Sequence, residues 1–302
     1  MMKIRYTIII LLFLGLFSPV EAQQRPQLSQ YMVNNFLLNP AVAGAYDYLD
    51  IRAGFRNQWT SLDGAPQTFF VTAHGAPRPR VGALPTIGTE DYGSIIRNGK
   101  TGLNVRHGVG GMILYDKTGA SNRLMLYGNY ALHVPITKTL TASLGVQLGL
   151  INSRQNNDNL IPLVNPDPGL EDGVFNSLVP DLGIGAMVYS DKYYIGFSLS
   201  QVLQSELSFS DVNSGPQNKL FIHYYLSGGY RFDISDRVHF IPSALIKFLQ
   251  ASPASVDFNA RFAFDLGGKK GNTNHIWVGA SYRYDDAFAG LVGFSISRWI
   301  DL

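Results

Sequence analysis

The chain has 302 residues, 15% of them charged, a formal charge of +2 and no cysteine. Near-neutrality removes any electrostatic case for binding nucleic acid or polybasic lipid surfaces. The lack of cysteine excludes disulfides, thiolate metal sites and a lipid-modified N-terminal thiol. A soluble globular domain carries about 25% charged residues, so this surface is not the usual one of Lys and Glu.

The N-terminus holds Lys3 and Arg5, an apolar stretch over 8–17, a break at Pro19 and the small residues Val20 and Ala22. This layout predicts a secretory signal peptide over 1–22, its apolar core being too short to span a bilayer. Loss of Lys3, Arg5 and Glu21 lowers the formal charge by one. Residues 23–48 are too polar and irregular for a membrane strand. Asn39-Pro40 initiates a turn and Gly44 can take a positive φ, so a compact irregular segment is expected. Ahead of a barrel, such a segment must occupy the lumen as a plug or lie in the periplasm.

From residue 49 onward the pattern has period two. In 139–151, Leu140, Ala142, Leu144, Val146, Leu148 and Leu150 share one strand face, and Thr139, Thr141, Ser143, Gly145, Gln147 and Gly149 the other. In 255–265, Val256, Phe258, Ala260, Phe262 and Phe264 oppose Ser255, Asp257, Asn259, Arg261 and Asp265. Twelve strands are predicted: 49–59, 67–74, 107–115, 121–134, 139–151, 181–190, 192–201, 219–232, 237–250, 255–265, 274–284 and 287–297. Many have the roughly ten residues that a tilted strand needs to cross a bilayer, against about five or six in soluble sheets. Beyond the N-terminus no run of about 18 apolar residues occurs, so helical spans are excluded. The expected fold is all-β: an antiparallel transmembrane β-barrel over 49–302, in the outer membrane of a two-membrane bacterium.

Outer-membrane barrels place short turns on the periplasmic side and longer loops outside. The tight connections 135–138, 190–191 and 233–236, with the N-terminus, are therefore expected in the periplasm, and 152–180 and 202–218 outside. The Pro-, Gly- and Arg-rich stretch 75–106 then falls on the periplasmic side, where a long connection is unusual. In 152–180, a solvated loop outweighs calcium ligation by Asp158, Asp167, Glu171 and Asp172, whose spacing matches no known calcium loop. Tyr189, Tyr193, Tyr194, Tyr224, Tyr225, Tyr230, Phe232, Tyr282 and Tyr284 sit near strand ends and are read as interfacial aromatic girdles.

The sequence contains no nucleophile elbow, His-Glu-x-x-His, P-loop or complete dinucleotide fingerprint. Gly183-Ile184-Gly185 has no helix after it and is read as a place where the wall is thinned. His133 and His275 fall on the polar face, and Ser281 near His275 is the sole hint of catalysis. Asp257, Asn259, Arg261, Asp265 and Arg283 are expected to form a polar lumen network. No catalytic, metal or cofactor residues are assigned, and binding or transport is the expected type of function.

Four stretches resemble one family. Ser29-Gln30-Tyr31-Met32 followed by Asn39-Pro40-Ala41 and Gly44 is similar to the opening of the PorP/SprF proteins of the type IX secretion system of Bacteroidota. Arg56-Asn57-Gln58-Trp59 with Leu62 to Pro66, then 180–185 with 190–196, and finally 277–283 match in the same order. The resemblance implies a non-enzymatic protein that helps export and anchor large secreted proteins or gliding adhesins by holding their C-terminal signal domain. Its implied partners are outer-membrane lipid, the cargo, and the periplasmic ring and peptidoglycan-linked components of the machinery. Family members usually continue beyond the equivalent of Trp299-Ile300-Asp301-Leu302 to a last strand ending in an aromatic residue. This implies a truncated chain and fourteen strands in all. The competing reading is a channel or transporter for small or hydrophobic solutes, with the N-terminal segment as a movable hatch.

Overall fold

The computed structural model describes residues 31–46, 48–77, 105–137, 139–157, 173–207, 219–249, 252–266, 275–296 and 300–301. Two single-turn 3-10 helices, Asn35–Leu37 and Pro40–Val42, come first. The strands that follow are β1 (Asp50–Asn57), β2 (Gln67–Gly75), β3 (Arg106–Thr118), β4 (Ser121–Pro135), β5 (Thr141–Asn156), β6 (Val174–Tyr189) and β7 (Tyr193–Ser200). After them run β8 (His223–Tyr230), β9 (Phe232–Ser235), β10 (Val238–Leu249), β11 (Ser252–Asp265), β12 (His275–Arg283), β13 (Ala287–Ile296) and β14 (Ile300–Asp301). No helix among the described residues is long and apolar enough to cross a membrane.

All the strands belong to one antiparallel sheet in sequence order, with β8 and β9 as two pieces of one strand, both paired to β10. The twelve predicted strands are present, and β14 adds the start of another beside β13. β6 begins at Val174 instead of near residue 181, pairing with β5 as far as Asn156, so the predicted loop 152–180 is much shorter. Most of 75–106 and of this loop lies outside the described residues, as do the four candidate calcium ligands. Among the described residues β1 and β14 are not joined by hydrogen bonds, so closure is not made there. Even so, Arg56 on β1 lies within electrostatic reach of Arg283 and Asp286 at the β12–β13 turn, because the sheet curls round on itself.

The sheet is inside-out relative to a soluble protein. On β5, Leu144 and Leu148 are 67% and 63% exposed, whereas Ser143 and Gln147 are 2% and 4% exposed. On β11, Phe258 and Phe262 face out, and Asp257 and Asn259 are buried within. Apolar side chains in this number gain nothing by facing water, and lipid is the solvent that accepts them. A charge placed among them should therefore be costly. Leu148→Arg is expected to destabilise the protein by about 2–4 kcal/mol near the bilayer midplane, measured as a lower denaturant midpoint in lipid vesicles. The inward variant Gln147→Asn is expected to leave the midpoint nearly unchanged.

Strand alternation assigns the connections to two ends. The links β1–β2, β3–β4, β5–β6, β7–β8, β10–β11 and β12–β13 start and finish at one end; the links β2–β3, β4–β5, β6–β7, β9–β10 and β11–β12 do so at the other. Tight turns occur at both ends, so the expected separation into a short-turn side and a long-loop side is incomplete. The aromatic girdle also needs correction. Tyr193, Tyr230, Phe232, Phe240 and Phe262 form a continuous outward belt, each ring 4.4–6.4 Å from the next. Tyr189, Tyr194 and Tyr225 instead point inward and are buried. They share strand parity with Gly185 and Met187, Ser198, and Ser227, which set the inner face.

Candidate functional site: the plugged lumen

The space inside the sheet is filled from both ends. Nearly every described residue from Tyr31 to Tyr46 is buried against the inner wall. At the other end, Leu207 and Leu220 fold inward and pack in one cluster with Leu114, Met125, Ile151 and Val179. Those last four face each other in register across β3 to β6.

Local chemistry shapes the plug. The Asn39 side chain accepts a hydrogen bond from the backbone N–H of Ala41 at 2.9 Å, and Pro40 supplies the fixed φ that starts the turn. Asn39 Nδ2 also donates to the Ala186 carbonyl at 3.1 Å, tying the turn to β6. The wall beneath is a row of small residues in register: Gly108, Ala131, Gly145, Gly185 and Ser198 on β3 to β7. A Cβ at Gly108 would overlap the Ala43 carbonyl, one at Gly145 the backbone of Pro40 and Ala41, and one at Gly185 the Asn39 amide. Gly108 and Gly145 let backbone meet backbone and Gly185 admits the Asn39 side chain, and Gly44 completes the fit with a φ of +71° against Gly108. Gly183-Ile184-Gly185 thus thins the wall where the plug sits.

Polar side chains on the wall satisfy the plug's irregular backbone, as burial requires. Ser143 Oγ donates to the Ala41 carbonyl and Ser198 Oγ to the Leu38 carbonyl, both at 2.7 Å. Two histidines clamp the Ala43–Gly44 peptide. His133 Nε2 donates to the Ala43 carbonyl at 2.8 Å while its Nδ1 accepts from the Tyr189 hydroxyl at 2.9 Å. His74 Nδ1 accepts the Gly44 N–H at 3.2 Å, which leaves its proton on Nε2, 3.2 Å from the Asp50 carboxylate. Arg106 donates to the Tyr46 carbonyl. On β8 and β10, Tyr31 packs on Tyr225 and Leu245, and on β2 Thr72 Oγ1 accepts from Asn34 Nδ2 at 2.9 Å.

The sequence-predicted residues divide. Tyr31, Met32, Asn39, Pro40, Ala41 and Gly44 all lie in the plug, while Ser29 and Gln30 lie outside the described residues. Arg56 faces inward near the end of β1, Asn57 pairs with Gln67, and Gln58 N–H closes the hairpin on the Pro66 carbonyl at 3.0 Å. Trp59 projects from that hairpin, 67% exposed, in the left-handed region with φ +49°.

Of the polar set, Asp257 is 1% exposed and receives Lys247 Nζ and Arg283 Nε, each at 2.8 Å. Arg283 also reaches Asp286 at 2.7 Å. Asn259 adjoins the Tyr31 hydroxyl, and Arg261 stands over the Trp277 ring at 5.5 Å. Asp265 caps the far end of β11 through its N–H to the Arg237 carbonyl, eight positions and about 26 Å from Asp257. His275 and Ser281 are six positions apart on β12, about 20 Å along the strand, and form no pair. Sequence reading missed His74 and Lys247 as inward groups. The signal for His74 was its parity with Thr68 and Thr72 on β2.

The lumen so described binds its own N-terminal segment through backbone-directed donors and a glycine seat, and among the described residues no group of His, Asp or Glu could hold a metal ion. No curated protein matches the chain. The family model described as type IX secretion system membrane protein PorP/SprF matches residues 20–302, and the chain belongs to that family of secretion-system membrane components.

Proposed function

We propose that the protein is a non-enzymatic, outer-membrane component of the type IX secretion system that helps export large secreted proteins or gliding adhesins and anchors them by their C-terminal signal domain. The observation that supports this reading is the occupied inner wall: a plug bonded to His74, His133, Ser143 and Ser198 favours the ends of the barrel over its bore as binding surface. A signal peptide over 1–22 delivers the chain through the inner membrane, and the sheet closes as a barrel in the outer one. The end carrying 58–66, 157–173 and 201–222 holds the cargo; the opposite end meets the periplasmic ring and peptidoglycan-linked components. Exposed Trp59 and Leu62 on the hydrogen-bonded 58–66 hairpin belong to the cargo-holding end.

A strain lacking the gene should lose one large adhesin, or a set of signal-bearing proteins, from its surface proteome, with accumulation in the periplasm. An unchanged secreted set would remove this reading. Solute flux through the purified wild-type protein in liposomes would favour a channel with a movable hatch instead.

A further inference from the structure

The outer wall carries a slot. Pro242, Ala260, Ala280 and Gly290 lie opposite one another in register across β10, β11, β12 and β13, all on the outward face. One row above stand Phe258, Tyr282 and Phe288; one row below stand Phe240, Phe262, Val278 and Val292. Pro242, Ala260 and Ala280, with the upper border of Phe258, Tyr282 and Phe288, line a groove of about 590 Å³ that extends past Ala244 and Gly228 to Tyr230, with Ser243 and Asn259 also on its lining. No charged side chain lines it.

The slot's shape selects its occupant. Same-face rows are about 6.6 Å apart along a strand, so the two borders are about 13 Å apart between Cα atoms before Phe and Tyr side chains narrow the gap. A helix about 10–12 Å across does not fit between them. A single hydrocarbon chain does. The groove is continuous on both sides with the outward apolar face, where Ile246, Phe248 and Phe294 are also exposed. It ends at Tyr230, part of the aromatic belt at the 190–192 and 236–237 turns.

We infer that this slot is a lipid site, holding one acyl chain of a phospholipid from the leaflet on the 190–192 side. The inference rests on the reading that the outer apolar face meets lipid. The chain passes the belt at Tyr230 and lies over Pro242, Ala260 and Ala280 with Phe258 and Tyr282 alongside. The wall gains a smooth surface at mid-height, and the lipid gains apolar contact on three sides instead of the loose contact of bulk bilayer.

The test is lipid extraction and mass spectrometry of the detergent-purified full chain, wild type beside Ala260→Phe/Ala280→Phe, which fills the slot from outside without touching the core. Leu148→Ala on β5 serves as control. Wild type and control are expected to retain phospholipid in about equimolar amount, and the filled variant about tenfold less. Equal retention in all three proteins, no phospholipid in wild type, or lipopolysaccharide in its place would overturn the site. So would photo-crosslinks from position 280 to a protein. Recovery of the wild-type chain from cells without detergent would instead overturn the membrane reading on which the inference rests.

Discussion

Replacing Gly108 with valine is expected to drive residues 31–46 out of the lumen. A Cβ there overlaps the Ala43 carbonyl and comes within 2.9 Å of the Gly44 Cα, and both obstacles are backbone. Overpacking usually costs about 1–3 kcal/mol because side chains give way; here the plug itself must move, which puts the cost at the top of that range. The Ala43–Gly44 clamp goes with it, so His74 and His133 lose the groups they bind. The readout is protease digestion of the purified protein, with the N-terminal segment resistant in wild type and cleaved in Gly108→Val. Gly128→Val is the control, since a Cβ at Gly128 meets nothing within 4 Å. If both variants keep the segment protected, the glycine row is not the seat.

The second large effect is expected at Asp257. Its carboxylate, 1% exposed, is the shared partner of Lys247 and Arg283, whose side chains are 15% and 11% exposed. Asp257→Ala removes the carboxylate that both cations share, and removing one partner from a buried ion pair costs about 3–5 kcal/mol. Arg283 keeps its ion pair with Asp286, so the loss is expected near the lower figure. Denaturant midpoints in lipid vesicles measure it. Removing all three charges together, as Lys247→Met/Asp257→Leu/Arg283→Met, should recover much of the loss, because no buried charge is then left unpaired. A single variant as stable as wild type would mean that water already screens the site.

The architecture was legible wherever alternation is clean. β5 and β11 show their faces directly in sequence, because each side chain makes a binary choice between lipid and lumen. β6 was cut short because Pro180 and the run 165–169 resemble a loop, yet Pro180 sits inside β6 opposite Leu150. The missing N–H of a proline costs one ladder bond, and the fifteen other residues of this long strand outweigh it.

At the site, the plug was expected as one of two placements for a polar irregular segment, and its side-chain partners were not readable at all. His74 and His133 lie 59 positions apart, and nothing local in sequence says that both face one peptide bond. The inward fold of Leu207 and Leu220 was equally hidden, since an isolated leucine in a connection has no periodicity to reveal its direction. Tyr189, Tyr194 and Tyr225 were misplaced by reading residue type before parity.

The position of the plug at the start of the chain constrains how the molecule is made. Tyr31 meets Ser243 across 212 positions of sequence, and Val33 packs with Ile241, Ala263, Trp277 and Leu291. A segment that touches strands from both halves of the sheet completes its contacts only when both halves are in place. Its partners on β2 to β7 come early in the chain and those on β10 to β13 come late. Such late, long-range contacts make assembly slow, and they make the first-made part of the chain a template against which the last-made part is checked.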